Sequence, residues 1–410
     1  MSVTILSNAR IFDGVQPDLT EANIVIENNR FREISESAAS CTDAKVIDLK
    51  GAVVMPGLID AHVHAYCPDV DVEAGDRLPL SAVAHRARVM LEGCLRRGFT
   101  TVRDVGGADF GLHFALTEGW FTGPRLFYCG KALSQTGGHG DLRQRGWTAL
   151  CSCGMGYSGH LTTVVDGPEA LRKQVRTELS NGANFIKFMG SGGVSSVTDS
   201  LHCSQYSDEE IAAIVDEVAR HDVYATAHVH PDQAIRRCIE LGVHGVEHAT
   251  FISAETASLA AKAGTAVTPT LAVIEALKRN GEALGYPRVS MEKLAEVEPV
   301  ALRSLEIMSR AGVKIGFGTD LIGQIHREQC LEFSQRSQVL SPFEILKSAT
   351  SVNAENIGQG AELGRIAAGY LADLLVLEAD PLADLSVFDE AGSKLKLIMK
   401  DGRIVRSQMN

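Results

Sequence analysis

The sequence predicts an α/β fold, a (β/α)8 TIM barrel of about residues 56–353 with a small β-sandwich built jointly by segments 1–55 and 354–410. Three observations predict it. The chain has 410 residues, which at roughly 100–200 residues per domain is too long for one small domain. Its middle alternates short apolar strands with helical segments, the rhythm of βα units on a parallel sheet. Its two ends carry only short strands between Asn, Asp and Gly turns, too short to bury much surface apiece.

At the N-terminal end the strands are Thr4-Ile5-Leu6, Asn23-Ile24-Val25-Ile26-Glu27, Val46-Ile47-Asp48 and Ala52-Val53-Val54. Eight barrel strands follow: Leu58–His64, Thr100–Asp104, Arg125–Cys129, Phe185–Met189, Tyr224–His228, Gly245–His248, Ala266–Pro269 and Ile315–Asp320. Between them, Ser207-Asp208-Glu209-Glu210 forms a capping box ahead of an apolar helical run, and other helices stop at Gly182, Gly242 and Gly312. A Gly- and Ser-rich loop from Thr136 to about Asp166 breaks the rhythm after the third strand and is expected to cover a substrate. Asp373–Leu377, Lys396–Lys400 and Arg403–Val405 return to strand pattern, with Asp401-Gly402 as a hairpin turn.

Composition narrows the function classes. With 45% hydrophobic and 22% charged residues the chain can bury a large core. The formal charge of −12 argues against nucleic acid or an anionic membrane as partner, and a small-molecule substrate is expected. No window reaches the roughly 18 apolar residues of a membrane span, and Met1-Ser2-Val3-Thr4-Ile5-Leu6 runs straight into polar residues without forming a secretory signal. Nine scattered cysteines suit a reducing compartment, so a cytoplasmic protein is expected. Cys151-Ser152-Cys153 lacks the spacing of zinc or redox motifs and is assigned to loop packing. Gly190-Ser191-Gly192-Gly193 has no Lys-Ser/Thr pair after it, which rejects a nucleotide site.

The chemistry lies among the thirteen histidines. In Pro56-Gly57-Leu58-Ile59-Asp60-Ala61-His62-Val63-His64, positions i and i+2 of a strand point to one face, so His62 and His64 project together where barrel active sites lie. Two adjacent imidazoles suit a divalent metal. Lys187, His228, His248 and Asp320 fall at or near the ends of other predicted barrel strands. Charged side chains are seldom buried at such places without partners or a metal.

Together these segments, with Gly369-Tyr370-Leu371-Ala372-Asp373-Leu374, resemble the binuclear-metal members of the amidohydrolase superfamily over essentially the whole length. The resemblance implies two divalent ions, expected to be zinc, bridged by Lys187 carboxylated to a carbamate. It implies that His62, His64 and Asp320 hold one ion, and His228 and His248 the other. Two such ions lower the pKa of a bridging water and polarise the scissile carbonyl. Asp320 would then take the proton and pass it to the leaving nitrogen. Assembly into a homo-oligomer is expected as well.

Three stretches look most like the branch that cleaves Xaa-Pro and other dipeptides or N-acyl amino acids, which includes prolidase-like and ochratoxin-hydrolysing enzymes. They are Thr136-Gly137-Gly138-His139-Gly140-Asp141, Lys187-Phe188-Met189-Gly190-Ser191-Gly192-Gly193-Val194 and Ala227-His228-Val229-His230. The expected activity is hydrolysis of the amide bond of a dipeptide, Xaa-Pro or one with a hydrophobic C-terminal residue, or of an N-acyl amino acid. His139 is expected to donate to the substrate carbonyl oxygen in the transition state, a solvated loop histidine being the alternative. His230, Arg237 and Tyr206 are candidates for the substrate carboxylate; of Arg236 and Arg237, neighbours on one helix, at most one can face the site. Members of the branch often have Tyr where this chain has His230. Two other readings stay open: a mononuclear deaminase or cyclic-imide hydrolase resembling imidazolonepropionase, and a noncatalytic member of the fold.

Overall fold

The computed structural model describes residues 3–37, 44–143, 159–389 and 392–409. Cys151-Ser152-Cys153 lies outside the described residues. The chain opens with β1 (Val3–Ile11), β2 (Thr20–Glu27), β3 (Arg30–Ser35), β4 (Lys45–Asp48) and β5 (Val53–Pro56). The central strands are β6 (Leu58–Val63), β7 (Phe99–Asp104), β8 (Arg125–Tyr128), β9 (Ala132–Ser134), β10 (Thr162–Val164), β11 (Ile186–Met189), β12 (Ala225–Val229), β13 (Gly245–His248), β14 (Ala266–Thr268) and β15 (Lys314–Ile315). β16 (Leu374–Leu377), β17 (Leu395–Lys400) and β18 (Arg403–Ser407) close the chain.

The two ends meet in one eight-stranded sheet, ordered β18-β17-β16-β5-β1-β2-β3, with β4 parallel to β1. The junction is β5 against β16, antiparallel, with Val54 opposite Val376 and Met55 opposite Leu375. Side chains alternate across a strand, and both faces of β16 are apolar for that reason. Leu375 and Leu377 pack with Leu58, Phe99 and Leu395, while Leu374 and Val376 pack with Leu6, Ile24 and Val54. The β17–β18 hairpin turns on Asp401 and Gly402, both at positive φ (49° and 69°), the backbone that a tight two-residue turn demands.

The central strands are parallel and fall into a three-stranded sheet, β6-β7-β8, and a seven-stranded sheet, β10-β9-β11-β12-β13-β14-β15. The third predicted strand, Arg125–Cys129, forms as β8 and pairs with β7; past Gly130, at φ 71°, the chain bends into β9, a further strand that the sequence did not predict and that pairs with β11 at Leu133 and Phe188. The strand predicted over Ile315–Asp320 pairs only at Lys314–Ile315. Its remainder still bonds to the first strand, with the Ala61 N–H donating to Phe317 O and the Asp320 N–H to His62 O, each at 2.9 Å. On the other side the Asn184 N–H donates to Tyr128 O at 2.8 Å, so backbone bonds cross both gaps between the two sheets. Gly318 lets these segments close up, since a Cβ there would lie 2.7 Å from His62 Cβ.

The helices follow their local signals. Ser207 and Glu210 form the reciprocal capping box, and Gly182, Gly242 and Gly312 follow helix ends with φ of 87°, 83° and 70°. Helix Asp208–Arg220 buries Ile211, Ile214 and Val218, spaced three and four apart, against the sheet. After β14, helices Leu271–Leu284 and Arg288–Arg310 form a hairpin turning at Gly285. Among the described residues no helix is long and apolar enough to cross a membrane.

Candidate metal centre

Parallel register brings the predicted residues to one level. Met189 pairs with His228 and Val229 with His248, so Lys187, His228 and His248 come from neighbouring strands whose ends open on one cavity. His62, on β6, and His64, just beyond it, join them with ring centroids 5.4 Å apart; His62 lies 4.9 Å from His248, and His248 lies 4.7 Å from His228. Asp320 Oδ1 is 3.3 Å from Nε2 of both His62 and His64. Single ligand atoms of His62, His248 and Asp320 all lie within 4.8 Å of one another. His248 and Asp320 adopt positive φ, 68° and 54°, which costs a non-glycine residue energy and clusters at sites where geometry matters more than comfort.

Each imidazole has one nitrogen tied to an oxygen. His62 Nδ1 is 2.7 Å from Glu247 Oε2, His64 Nδ1 is 3.0 Å from Gly106 O, His248 Nδ1 is 2.8 Å from Thr270 Oγ1, and His228 Nε2 is 3.3 Å from Gly192 O. Such contacts orient the ring and leave the other nitrogen for a metal. Glu247 is itself fixed, accepting from Arg103 at 2.7 Å and from Thr226 Oγ1.

Lys187 is buried and lines the same cavity as these rings. Burial pushes its pKa down, against the pull of Glu247 and Asp320. Burial and the neighbouring rings hold His228 well below the ordinary histidine range. Burial alone would raise Asp320, but the His62 and His64 rings outweigh it and keep the carboxylate ionised. Four imidazoles each held by one nitrogen, an ionised carboxylate facing two of them and a buried amine of lowered pKa fit a divalent-metal site.

The cavity places the remaining candidates unevenly. His139 and His230 line it; His139 stacks on His228 at 4.2 Å, and His230 Nδ1 is 2.8 Å from Thr250 Oγ1. Tyr206 and Arg237 do not line it. The Tyr206 hydroxyl donates to Val165 O in the packed layer, and Arg237 donates to the carbonyls of Gln205 and Tyr206, a clamp on the loop. Arg236 points outward toward Glu240. The expectation failed there because residues flanking a helix can turn to either side of the sheet, and spacing does not say which. Lys187 is the one Lys or Arg among the described residues of the lining. Leu271, Ile274 and Leu277 from one helix of the hairpin and Leu294 and Val297 from the other supply an apolar wall.

Sequence reasoning passed over Glu247, Arg103 and Thr226. The signal was a glutamate inside the apolar strand Gly245–His248, which must find partners if it is buried. It also passed over Ser195 and Tyr286, whose hydroxyls pair at 2.9 Å in the cavity wall.

Residues 53–405 match the amidohydrolase family. An ochratoxinase from Aspergillus niger is 35% identical over 351 residues, spanning 82% of this chain and 72% of its own. A crystal structure of a prolidase complexed with N-methylphosphonate-L-proline superposes with a TM-score of 0.96 at 41% identity, covering 99% of this chain and 100% of the other. A Xaa-Pro dipeptidase with methionine bound in its active site superposes at 0.87 with 29% identity, covering 99% and 100%.

Proposed function

The chain belongs to the amidohydrolase family, and from that membership we propose that it hydrolyses the amide bond of a dipeptide, Xaa-Pro or one with a hydrophobic C-terminal residue, or of an N-acyl amino acid. The observation that carries the reading is the cluster of four imidazoles, each with one nitrogen tied to an oxygen, gathered with Asp320 and the buried Lys187 on one cavity. The prolidase and ochratoxinase relatives support the substrate class. The apolar wall of Leu271, Ile274, Leu277, Leu294 and Val297 supports a hydrophobic substrate side chain. In this reading the two parallel sheets form one closed barrel over residues 56–353, supported by the backbone bonds across both gaps, and segments 1–55 and 354–410 form the β-sandwich beside it. A cytoplasmic setting is supported by the free thiols of all six described cysteines.

His62, His64 and Asp320 would hold one divalent ion, proposed to be zinc, and His228 and His248 a second, with Lys187 carboxylated on Nζ between them. Bound there, the ions supply Lewis acidity and lower the pKa of water. The chain supplies the rest. Glu247 holds the His62 ring in one tautomer and orientation. Asp320 accepts a proton from the attacking water at a carboxylate oxygen and releases it to the leaving nitrogen. Burial lowers the pKa of Lys187, and in its neutral form the amine can bond CO2 and lose a proton, returning an anion to the site.

A screen of dipeptides and N-acyl amino acids with metal-loaded protein and bicarbonate tests the reading: release of an amino acid is expected, and silence across the library would sink it. Lys187→Ala should drop the metal content from two ions per chain to one and abolish turnover. The three-ligand group His62, His248 and Asp320 could hold a single ion, which favours the mononuclear deaminase or cyclic-imide hydrolase as second reading. Elemental analysis giving one metal in the wild-type chain would select it.

A further inference from the structure

A closed chain of hydrogen bonds stands behind His139. His139 Nδ1 lies 2.8 Å from Ser196 Oγ, and Ser196 Oγ donates to Asp199 Oδ1. Lys293, from helix Arg288–Arg310, donates to the same Oδ1 at 3.0 Å and spends its other two protons on Gly193 O and Ser196 O, at 2.8 and 2.7 Å. Gln205 completes the group, its Nε2 donating to Asp199 Oδ2 at 3.0 Å while its Oε1 accepts the His139 N–H at 2.9 Å. The Asp199 side chain is 2% exposed and that of Lys293 10%.

Counting protons orders this chain. Asp199, ion-paired with Lys293, offers only lone pairs, so the proton between Asp199 and Ser196 is the serine's own. A hydroxyl has one proton. Toward His139, then, Ser196 can only accept, and the proton on that contact is His139 Nδ1–H. A neutral ring tied in this way carries its lone pair at Nε2, and that atom has no hydrogen-bond partner among the described residues of the cavity it borders.

We propose that Ser196 and Asp199 are positioning residues that hold His139 in the Nδ1–H tautomer, so that its Nε2 accepts a hydrogen bond from a substrate ammonium or amide N–H. This polarity is the reverse of the carbonyl-oxygen donor that the sequence suggests. The substrate half of the inference rests on the amide-hydrolase reading; the tautomer rests on the chain of bonds alone.

Isotope-labelled histidine in the metal-loaded full chain tests it by nuclear magnetic resonance, with the His139 signal assigned by its disappearance in His139→Gln. Ring carbon and nitrogen shifts of the Nδ1–H form are expected in the wild type and in Ser196→Thr. Ser196→Ala should release the ring to the Nε2–H form, with kcat/KM on a dipeptide carrying a free ammonium down about 10–100-fold and restored by Ser196→Thr. The wild-type ring shifts need no variant, so they decide the tautomer even if Ser196→Ala fails to fold. A wild-type ring already in the Nε2–H form, or a ring that stays Nδ1–H in folded Ser196→Ala, overturns the proposal even in an active enzyme. An Nδ1–H ring that switches as described, in a protein that cleaves nothing in the library, upholds the tautomer and counts against the amide-hydrolase reading.

Discussion

Glu247 shows what one side chain contributes to this site. It is buried between His62 and Arg103, and both contacts are charge-assisted. Replacing it by Gln leaves a buried guanidinium without its anion, a loss of about 3 kcal/mol. The same change loosens the His62 ring, so under the proposed metal-dependent hydrolysis, activity should fall about 10–100-fold, with metal content falling alongside. Urea midpoints and elemental analysis on Glu247→Gln check the two effects separately. His326 bears on pH instead. Burial, with the Arg97 guanidinium beside it, pushes its ring down to about 3 from the ordinary 6.5. As pH falls below 6.5 the unfolded chain gains a proton that the folded one refuses until about pH 3. Its contribution to stability is therefore complete above 6.5 and erodes as pH falls, at about 1 kcal/mol per pH unit. His326→Gln should flatten the slope of unfolding free energy between pH 6 and 4, and an unchanged slope would count against a neutral buried ring. At this scale the sequence was most legible where a residue's type is costly to bury without function, as with His62, Lys187 or Asp320. It was least legible at Tyr206 and Arg237, whose directions depend on packing.

At the scale of elements, the loop after β11 matters as much as the strand. Gly193 sits between two rings: a Cβ there would lie 2.4 Å from His139 Cε1 and 2.6 Å from His228 Nε2. Neither ring can yield, one being stacked on the other. Gly193→Ala should therefore cut turnover by at least tenfold and also lower the melting temperature, because a clash that no neighbour relieves costs the folded state about 1–3 kcal/mol. The helix Asp208–Arg220 offers the opposite case. Ser207→Ala removes a cap far from the rings and should cost about 1 kcal/mol in stability while leaving kcat unchanged. Helix stops, the capping box and the β17–β18 hairpin were all legible because they depend on local backbone chemistry. The extra strands β9 and β10 were not, since runs of three residues, one of them inside a Gly- and Ser-rich segment, are too short to show a period of their own.

For the whole molecule, a buried ion-pair cluster joins the C-terminal segment to the central strands. Arg125, on β8, donates to Asp373 Oδ2 at 2.6 Å and to Asp401, both from the C-terminal segment. Asp373 is 5% exposed, so Arg125→Met leaves a buried carboxylate unpaired and should cost about 3 kcal/mol, read as a lowered urea midpoint. Activity per folded molecule should survive, because Arg125 borders no part of the cavity among the described residues.

The sequence by itself determined which residue types gather at the cavity, where the capped and glycine-stopped helices end, and that both termini are β. These follow from short-range physics: the period of apolar side chains, the backbone demands of Gly and Asp, and the cost of burying an unpaired charge. Only the tertiary structure decided that β5 pairs with β16, that Glu247 orients His62, and that Ser196 and Asp199 stand behind His139. Those partners lie far apart along the chain, 185 residues in the case of His62 and Glu247. No local pattern records which buried group will meet which; that is decided when the strands are brought side by side and each polar atom must find a partner.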